Sequence, residues 1–216
     1  MEIKDLKKLF EERRARSIIR LKSFDEILSV YSDSAPEKLM TVNRDIRCPQ
    51  RFEEAFPDRL HPRIKEWAEN TDGSSGLYIY GGVGTGKTFN IYALAKLIRM
   101  NMIRVKVKNF PDWLDELRQS YDKFNAEQDI KDELRDEAIL MIDDIGSEKQ
   151  TEWVQEIIYR LINNRYEQIR PTIFSSNLSL SEIAGKYGER IASRIVEMVG
   201  GEEGIIKIDG EDRRLK

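Results

Sequence analysis

Beyond residue 48 the chain alternates short apolar runs with longer stretches of helical periodicity. GLYIY (76–80), IRVKVKN (103–109), AILMI (138–142), PTIFSS (171–176) and GIIKI (204–208) read as strands. They are short for helices, and most carry β-branched or aromatic residues. Apolar positions at helical spacing predict helices between them, over 61–70, 87–101, 112–136 with a break, 151–169 and 180–198. In the first of these Pro62 occupies the opening turn, where its missing N–H is no loss, and His61 is the entry residue. Strands alternating with helices predict an α/β fold, a parallel sheet flanked by helices.

The first part of the chain has a different pattern. Ile3, Leu6, Leu9 and Phe10, then Ile18, Ile19, Leu21, Phe24, Ile27, Leu28 and Tyr31, recur at helical spacing through about residue 32. SDSAPEK interrupts the pattern, and a polar linker is expected to about Arg47. The expected organisation is a helical segment over 1–45 and a domain over 46–216. The segment is too small for a core of its own, so its apolar stripe must pack on the following domain or on a partner.

Composition narrows the class. Nothing in the 216 residues approaches the roughly 20 apolar residues of a membrane span. MEIKDLKKLFEERR lacks the apolar centre of a signal peptide. The single cysteine, Cys48, excludes an internal disulfide and a multi-cysteine zinc site. A cytoplasmic protein is expected, without membrane contact. Its net charge of −3 argues against coating nucleic acid by bulk charge. The distribution is uneven: residues 4–22 hold eight Lys/Arg against three acids, and 112–137 hold ten acids against four bases. Any contact with nucleic acid is therefore local, and both runs also read as solvated helix faces.

The chemistry begins where the first strand ends. GGVGTGKT, residues Gly81, Gly82, Val83, Gly84, Thr85, Gly86, Lys87 and Thr88, satisfies G-x-x-x-x-G-K-[ST]. Glycines let consecutive N–H groups curl around one anion, and the following helix adds the positive end of its dipole. Lys87 can reach the β and γ phosphates of a nucleotide, and the Thr88 hydroxyl can ligate Mg²⁺. AILMIDDIGSEK supplies the second half, an apolar strand ending in Asp143 and Asp144. Asp143 is assigned to the metal and Asp144 to the attacking water, with Glu148 as a lesser alternative base. PTIFSSN brings Asn177 to the end of another strand, where it can orient a water. GERIASRI puts Arg190 and Arg194 on one helix face, and DGEDRR offers Arg213 and Arg214.

The combination of GGVGTGKT, LMIDDIGSEK, TIFSSNLSLSEIAGKYGERIASRI and the terminal DGEDRR resembles the DnaC/DnaI helicase-loader group of AAA+ ATPases, kin of the IstB transposition ATPases. The resemblance runs from about residue 48 to 214. It implies a P-loop NTPase with three α/β/α layers, a five-stranded parallel sheet in the order 5-1-4-3-2 and a reduced C-terminal lid. It gives Asn177 the sensor 1 role and Arg194 that of an arginine finger reaching a neighbouring subunit's ATP, with Arg190 as runner-up. Arg213 matches sensor 2, with Arg214 as the alternative. ATP and Mg²⁺ are the implied ligands. The implied function is ATP-dependent loading of a DnaB-type replicative helicase onto single-stranded DNA by an ATP-dependent oligomer. An IstB-like ATPase that remodels duplex DNA and engages a transposase is the second reading. A small-molecule kinase and a nucleotide switch of negligible turnover complete the set. Lys106, Lys108, Tyr121, Lys123 and Phe124 are candidates for DNA contact, although the element holding the last three also reads as a packing helix. Arg51, Phe52 and Phe56 are candidates for the base pocket or, equally, for an apolar clamp.

Overall fold

The computed structural model of the protein describes residues 21–23, 25–27, 35–71, 73–121 and 138–210. Most of the apolar stripe before residue 33, the second half of the 112–136 element with Lys123 and Phe124, and Arg213 and Arg214 lie outside these residues. All five expected strands form: β1 (Leu77–Tyr80), β2 (Val105–Asn109), β3 (Ile139–Asp143), β4 (Thr172–Ser176) and β5 (Ile205–Lys207). They pair in parallel in the order β2-β3-β4-β1-β5, which is the expected 5-1-4-3-2 read from the other edge.

Alternation along the strands divides the core in two. Leu77, Ile79, Ile139, Met141, Ile173 and Ile206 face one layer, and Tyr78, Leu140, Ile142 and Phe174 face the other. The first layer is covered by α1 (Ala35–Asp45), α2 (Pro62–Asn70) and α3 (Lys87–Met100). The second is covered by α4 (Phe110–Tyr121), α5 (Glu152–Glu167), α6 (Leu180–Tyr187) and α7 (Glu189–Met198). Because β1, β3 and β4 are buried on both faces, they read as nearly unbroken apolar runs.

Two helical expectations change. The stretch expected as a polar linker is mostly helix: α1 opens near Pro36 and buries Val42, with Leu39 partly buried beside it and Ile46 buried just past its end. Its other positions are polar enough to hide the stripe. The single helix expected over 180–198 is two, divided at Gly188, whose φ of 98° and ψ of 151° suit glycine and break the helical ladder. A capping box between Ser179 and Glu182 starts α6.

The described residues before 46 pack into the same core as the sheet. Leu21, Ile27 and Val42 join the core layer over α3. The Lys22 N–H donates to Asn101 Oδ1 at 2.7 Å, and Arg99 meets Asp45 at 2.7 Å.

Candidate nucleotide site

Parallel strands bring their C-terminal ends to one edge of the sheet, the usual place for a ligand in such folds. Register puts Tyr80 beside Ser176 and Asn109 beside Asp143, so the loops after β1, β3 and β4 emerge together. Residues 81–86 form the loop between β1 and α3. Gly81, Gly84 and Gly86 have φ values of 156°, 76° and 98°. The requirement is sharpest at Gly81, where a Cβ would stand 2.1 Å from the Ile208 carbonyl oxygen. Gly86 caps α3, so the open N–H groups of the first turn face the loop.

Lys87 is buried, and its ammonium donates to the carbonyls of Gly81 at 2.9 Å and Gly82 at 2.7 Å. Thr85 is buried and closes the loop by donating to the Gly82 carbonyl at 2.9 Å, while Val83 stands 58% exposed at its tip. The Thr88 hydroxyl lies 3.4 Å from Asp143 Oδ1. Asp143 is 3% exposed, and its Oδ1 also accepts the Ser175 hydroxyl. Burial pushes the Asp143 carboxyl above the usual carboxylate range; the Ser175 and Thr88 hydroxyls pull it down less than burial raises it. A carboxylate and a hydroxyl oxygen side by side fit a hard cation such as Mg²⁺, which takes oxygen ligands.

Asp144 turns away from the strand with φ of 62°, a left-handed value unusual for a side-chain-bearing residue. Its N–H donates to Ser175 Oγ at 3.1 Å, and Asn177 Nδ2 lies 3.4 Å from its Oδ1. The structure thus joins the loop, Lys87, Thr88, Asp143, Asp144 and Asn177 at one edge. Glu148 is not available as a base: its carboxylate accepts the Gly146 N–H at 3.0 Å, pairs with Lys186 at 3.0 Å and accepts the Tyr187 hydroxyl.

Residues 48–61 dock on α3. Phe52 stacks on Tyr92 with centroids 5.1 Å apart and planes 12° apart, and the buried Lys96 holds the carbonyls of Phe52 and Glu53 at 2.8 and 2.7 Å. Phe56 covers the same ammonium, 5.6 Å from its ring centre. Asn90 bridges the Gly86 carbonyl and the His61 N–H, at 2.9 and 2.7 Å. Ser175, Asn90 and Lys96 were not apparent as site-building residues in the sequence. A lysine inside the apolar run YALAKLI of α3, and the doubled serine before Asn177, were the available signals.

The family described as the bacterial DnaA ATPase domain matches residues 59–200. The chain belongs to that family. It is also similar to the replicative helicase loader DnaI of Bacillus subtilis (strain 168), 33% identical over 179 residues that cover 79% of this chain and 56% of that protein. The chain spans about half the length of the curated relatives it matches. A crystal structure of the DnaC helicase loader is similar at a TM-score of 0.64 and 26% identity, covering 74% of this chain and 100% of that one. A DnaA replication initiator bound to AMPPCP and single-stranded DNA shares the fold at a TM-score of 0.58 and 22% identity, covering 69% of this chain and 45% of that one. The likeness to the DnaC/DnaI loader group and the AAA+ type of sheet are therefore both found.

Within this ATPase domain the candidate arginines stand on α7, against tyrosines of α5. Arg194 of α7 is half-buried, its guanidinium 5.6 Å from the Tyr159 ring and 5.3 Å from the Tyr166 ring, both on α5. Its Nη1 is buried with no acceptor among the described residues. Arg190 is exposed and lies 5.5 Å from the same Tyr159 ring. Among the described residues neither is hydrogen-bonded to the loop or the aspartates. Of the candidate DNA contacts, Lys108 is engaged with Glu116 at 2.6 Å.

Proposed function

We propose that this ATPase-family chain loads a DnaB-type replicative helicase onto single-stranded DNA in the cytoplasm, and that an ATP-dependent oligomer of it performs the hydrolysis. The observation that carries the ATPase reading is the meeting of Lys87, Thr88, Asp143, Asp144 and Asn177 at the ends of β1, β3 and β4. The N–H groups of residues 82–88 and the α3 dipole bind the phosphates, with Lys87 leaving its two carbonyls for the β and γ oxygens. Thr88 and Asp143 would hold Mg²⁺, which would supply positive charge against the charge developing on the phosphate oxygens. Asp144 polarises the attacking water, and Asn177 orients that carboxylate and the water.

Arg194 acts in trans. A guanidinium beside two aromatic rings, with an Nη1 that finds no acceptor among the described residues, suits an anion brought by a neighbouring subunit. Arg213 is assigned sensor 2 from the resemblance. The similarity to DnaI and DnaC supports the helicase partner, and the DnaA structure with single-stranded DNA supports that ligand.

The test is the mass of the complex with a cognate DnaB-type helicase, measured with ATP, with ADP and without nucleotide, for the full chain and for Lys87→Ala. A complex that forms with the full chain and changes with nucleotide is expected. No complex under any condition, with binding to duplex DNA and a transposase instead, would move the reading to the IstB-like alternative. Arg194→Ala should bind ATP but hydrolyse it poorly, and mixing it with Asp144→Asn should restore turnover; absence of that restoration would sink the trans arrangement.

A further inference from the structure

The turn that carries Asp144 is bolted to the helix pair that carries the arginines. Ser147 closes the turn, its hydroxyl donating to the Asp144 carbonyl at 2.8 Å. The next residues are fixed from the strand side: the Ile145 N–H donates to the Ser175 carbonyl at 2.9 Å, and Ser176 Oγ donates to the Ile145 carbonyl at 2.6 Å. Gly146 has φ of 95°, and a Cβ there would stand 2.8 Å from Leu178 Cδ1.

From the other side comes the C-terminal turn of α6. The Lys186 ammonium donates to the carbonyls of Gly146 at 2.6 Å and Glu148 at 2.7 Å, and pairs with the Glu148 carboxylate at 3.0 Å. Tyr187 donates its hydroxyl to the same carboxylate, whose second oxygen takes the Gly146 N–H. Gln150 donates to the Lys186 carbonyl at 2.7 Å. The Glu148 side chain is only 5% exposed and that of Lys186 17%, so these are charge-assisted bonds shielded from water. Tyr187 is the last residue of α6. After Gly188, whose carbonyl accepts the N–H groups of Ile191 and Ala192, α7 begins and presents Arg190 and Arg194.

We infer that Glu148, Lys186 and Tyr187 are positioning residues for ATP hydrolysis, forming a clamp that makes the Asp144 turn and the α6–α7 arginine pair move as one unit. None of the three touches the reacting atoms. The clamp holds Asp144 in its left-handed conformation, and it passes any displacement of that turn by the γ-phosphate to the start of α7. A buried ion pair with a hydroxyl and an amide on the same carboxylate has one good arrangement, which gives the joint rigidity. The inference rests on the assignment of Asp144 to the attacking water; the mechanical coupling itself does not depend on Arg194 acting in trans.

The test uses the full chain and the variants Tyr187→Phe, Lys186→Met and Lys186→Arg. Tyr187→Phe removes one hydroxyl and keeps the packing, so it separates positioning from failure to fold. Turnover and affinity for a fluorescent ATP analogue are measured together. Tyr187→Phe and Lys186→Met should keep nucleotide affinity and lower kcat roughly 10- to 100-fold, the range for supporting groups around a catalytic centre, with Lys186→Arg falling between them and the parent. Hydrogen exchange is then followed with AMPPCP and Mg²⁺. In the parent chain, segments 144–150 and 189–198 should both become slower to exchange. In Tyr187→Phe and Lys186→Met only 144–150 should respond. Unchanged kcat in both variants, or a response at 189–198 that survives both, would overturn the clamp. A parent chain whose 189–198 segment ignores the nucleotide would do the same. Normal turnover by Arg194→Ala would remove the finger assignment and leave the exchange comparison standing.

Discussion

Lys96 is a lysine with no exposed surface in the middle of α3, and Lys96→Met tests what it does there. Methionine keeps the aliphatic stem and nearly the same volume, so little packing is lost. What disappears is the ammonium that donates at 2.8 and 2.7 Å to the carbonyls of Phe52 and Glu53 and sits 5.6 Å from the Phe56 ring centre. The Phe52 carbonyl still accepts the Ala55 N–H at 2.9 Å, so Glu53 takes the main loss. A buried carbonyl left without its donor costs about 1–3 kcal/mol, and a lost bond to a charged donor about 1.5–3 kcal/mol. Against this, burial holds the Lys96 ammonium below the ordinary lysine value, with Cys48 and Glu53 opposing; removing the charge returns part of that desolvation cost. The net loss is about 2 kcal/mol, which for a chain of this size lowers Tm by roughly 4–8 °C. Thermal unfolding followed by circular dichroism measures it. A Tm within a degree of the parent would show that the ammonium only offsets its own burial and does not hold 48–56 on α3.

Two further outcomes follow from the same geometry. Gly81→Ala forces a Cβ to within 2.1 Å of the Ile208 carbonyl, against 3.7 Å to the nearest neighbour for Gly82→Ala, so it should cost on the order of 3 kcal/mol more in urea unfolding; equal stabilities would refute the close approach of the loop to residue 208. Asp143→Asn keeps an Oδ1 acceptor for Ser175 and removes a buried charge, so without nucleotide it should melt above the parent at neutral pH while losing Mg²⁺-dependent turnover. The sign with pH follows from the raised carboxyl of Asp143: the folded chain holds that proton at pH values where the unfolded chain has lost it, so the parent loses stability as pH rises through this window. The advantage of Asn should be full above the raised value and vanish as pH falls to the ordinary carboxylate value; an advantage that grows toward low pH would contradict it.

Local pattern alone determined the strands, most of the helices and the glycine-rich loop between β1 and α3. A strand buried on both faces must be an apolar run, and a loop that wraps an anion with its backbone must be glycine-rich. Gly81 through Thr88 and the Asp143–Asp144 pair could therefore be read as a candidate site without a structure. The order of the strands was not a product of periodicity, which carries no information about neighbours; it came from family likeness. Helix α1 was missed because its few apolar positions, Leu39 and Val42 with Ile46 just beyond, acquire meaning only against the α3 layer they cover. The break at Gly188 depended on a backbone conformation that a helical pattern cannot display. Only the tertiary structure could turn Glu148 from a candidate base into an anchored group, because its partners Lys186 and Tyr187 lie on a helix after the next strand. The same holds for Ser175, Lys96 and the tyrosines around Arg194. Residue types and spacing specify chemistry that one segment completes by itself, whereas contacts between distant segments exist only once the sheet has brought them together.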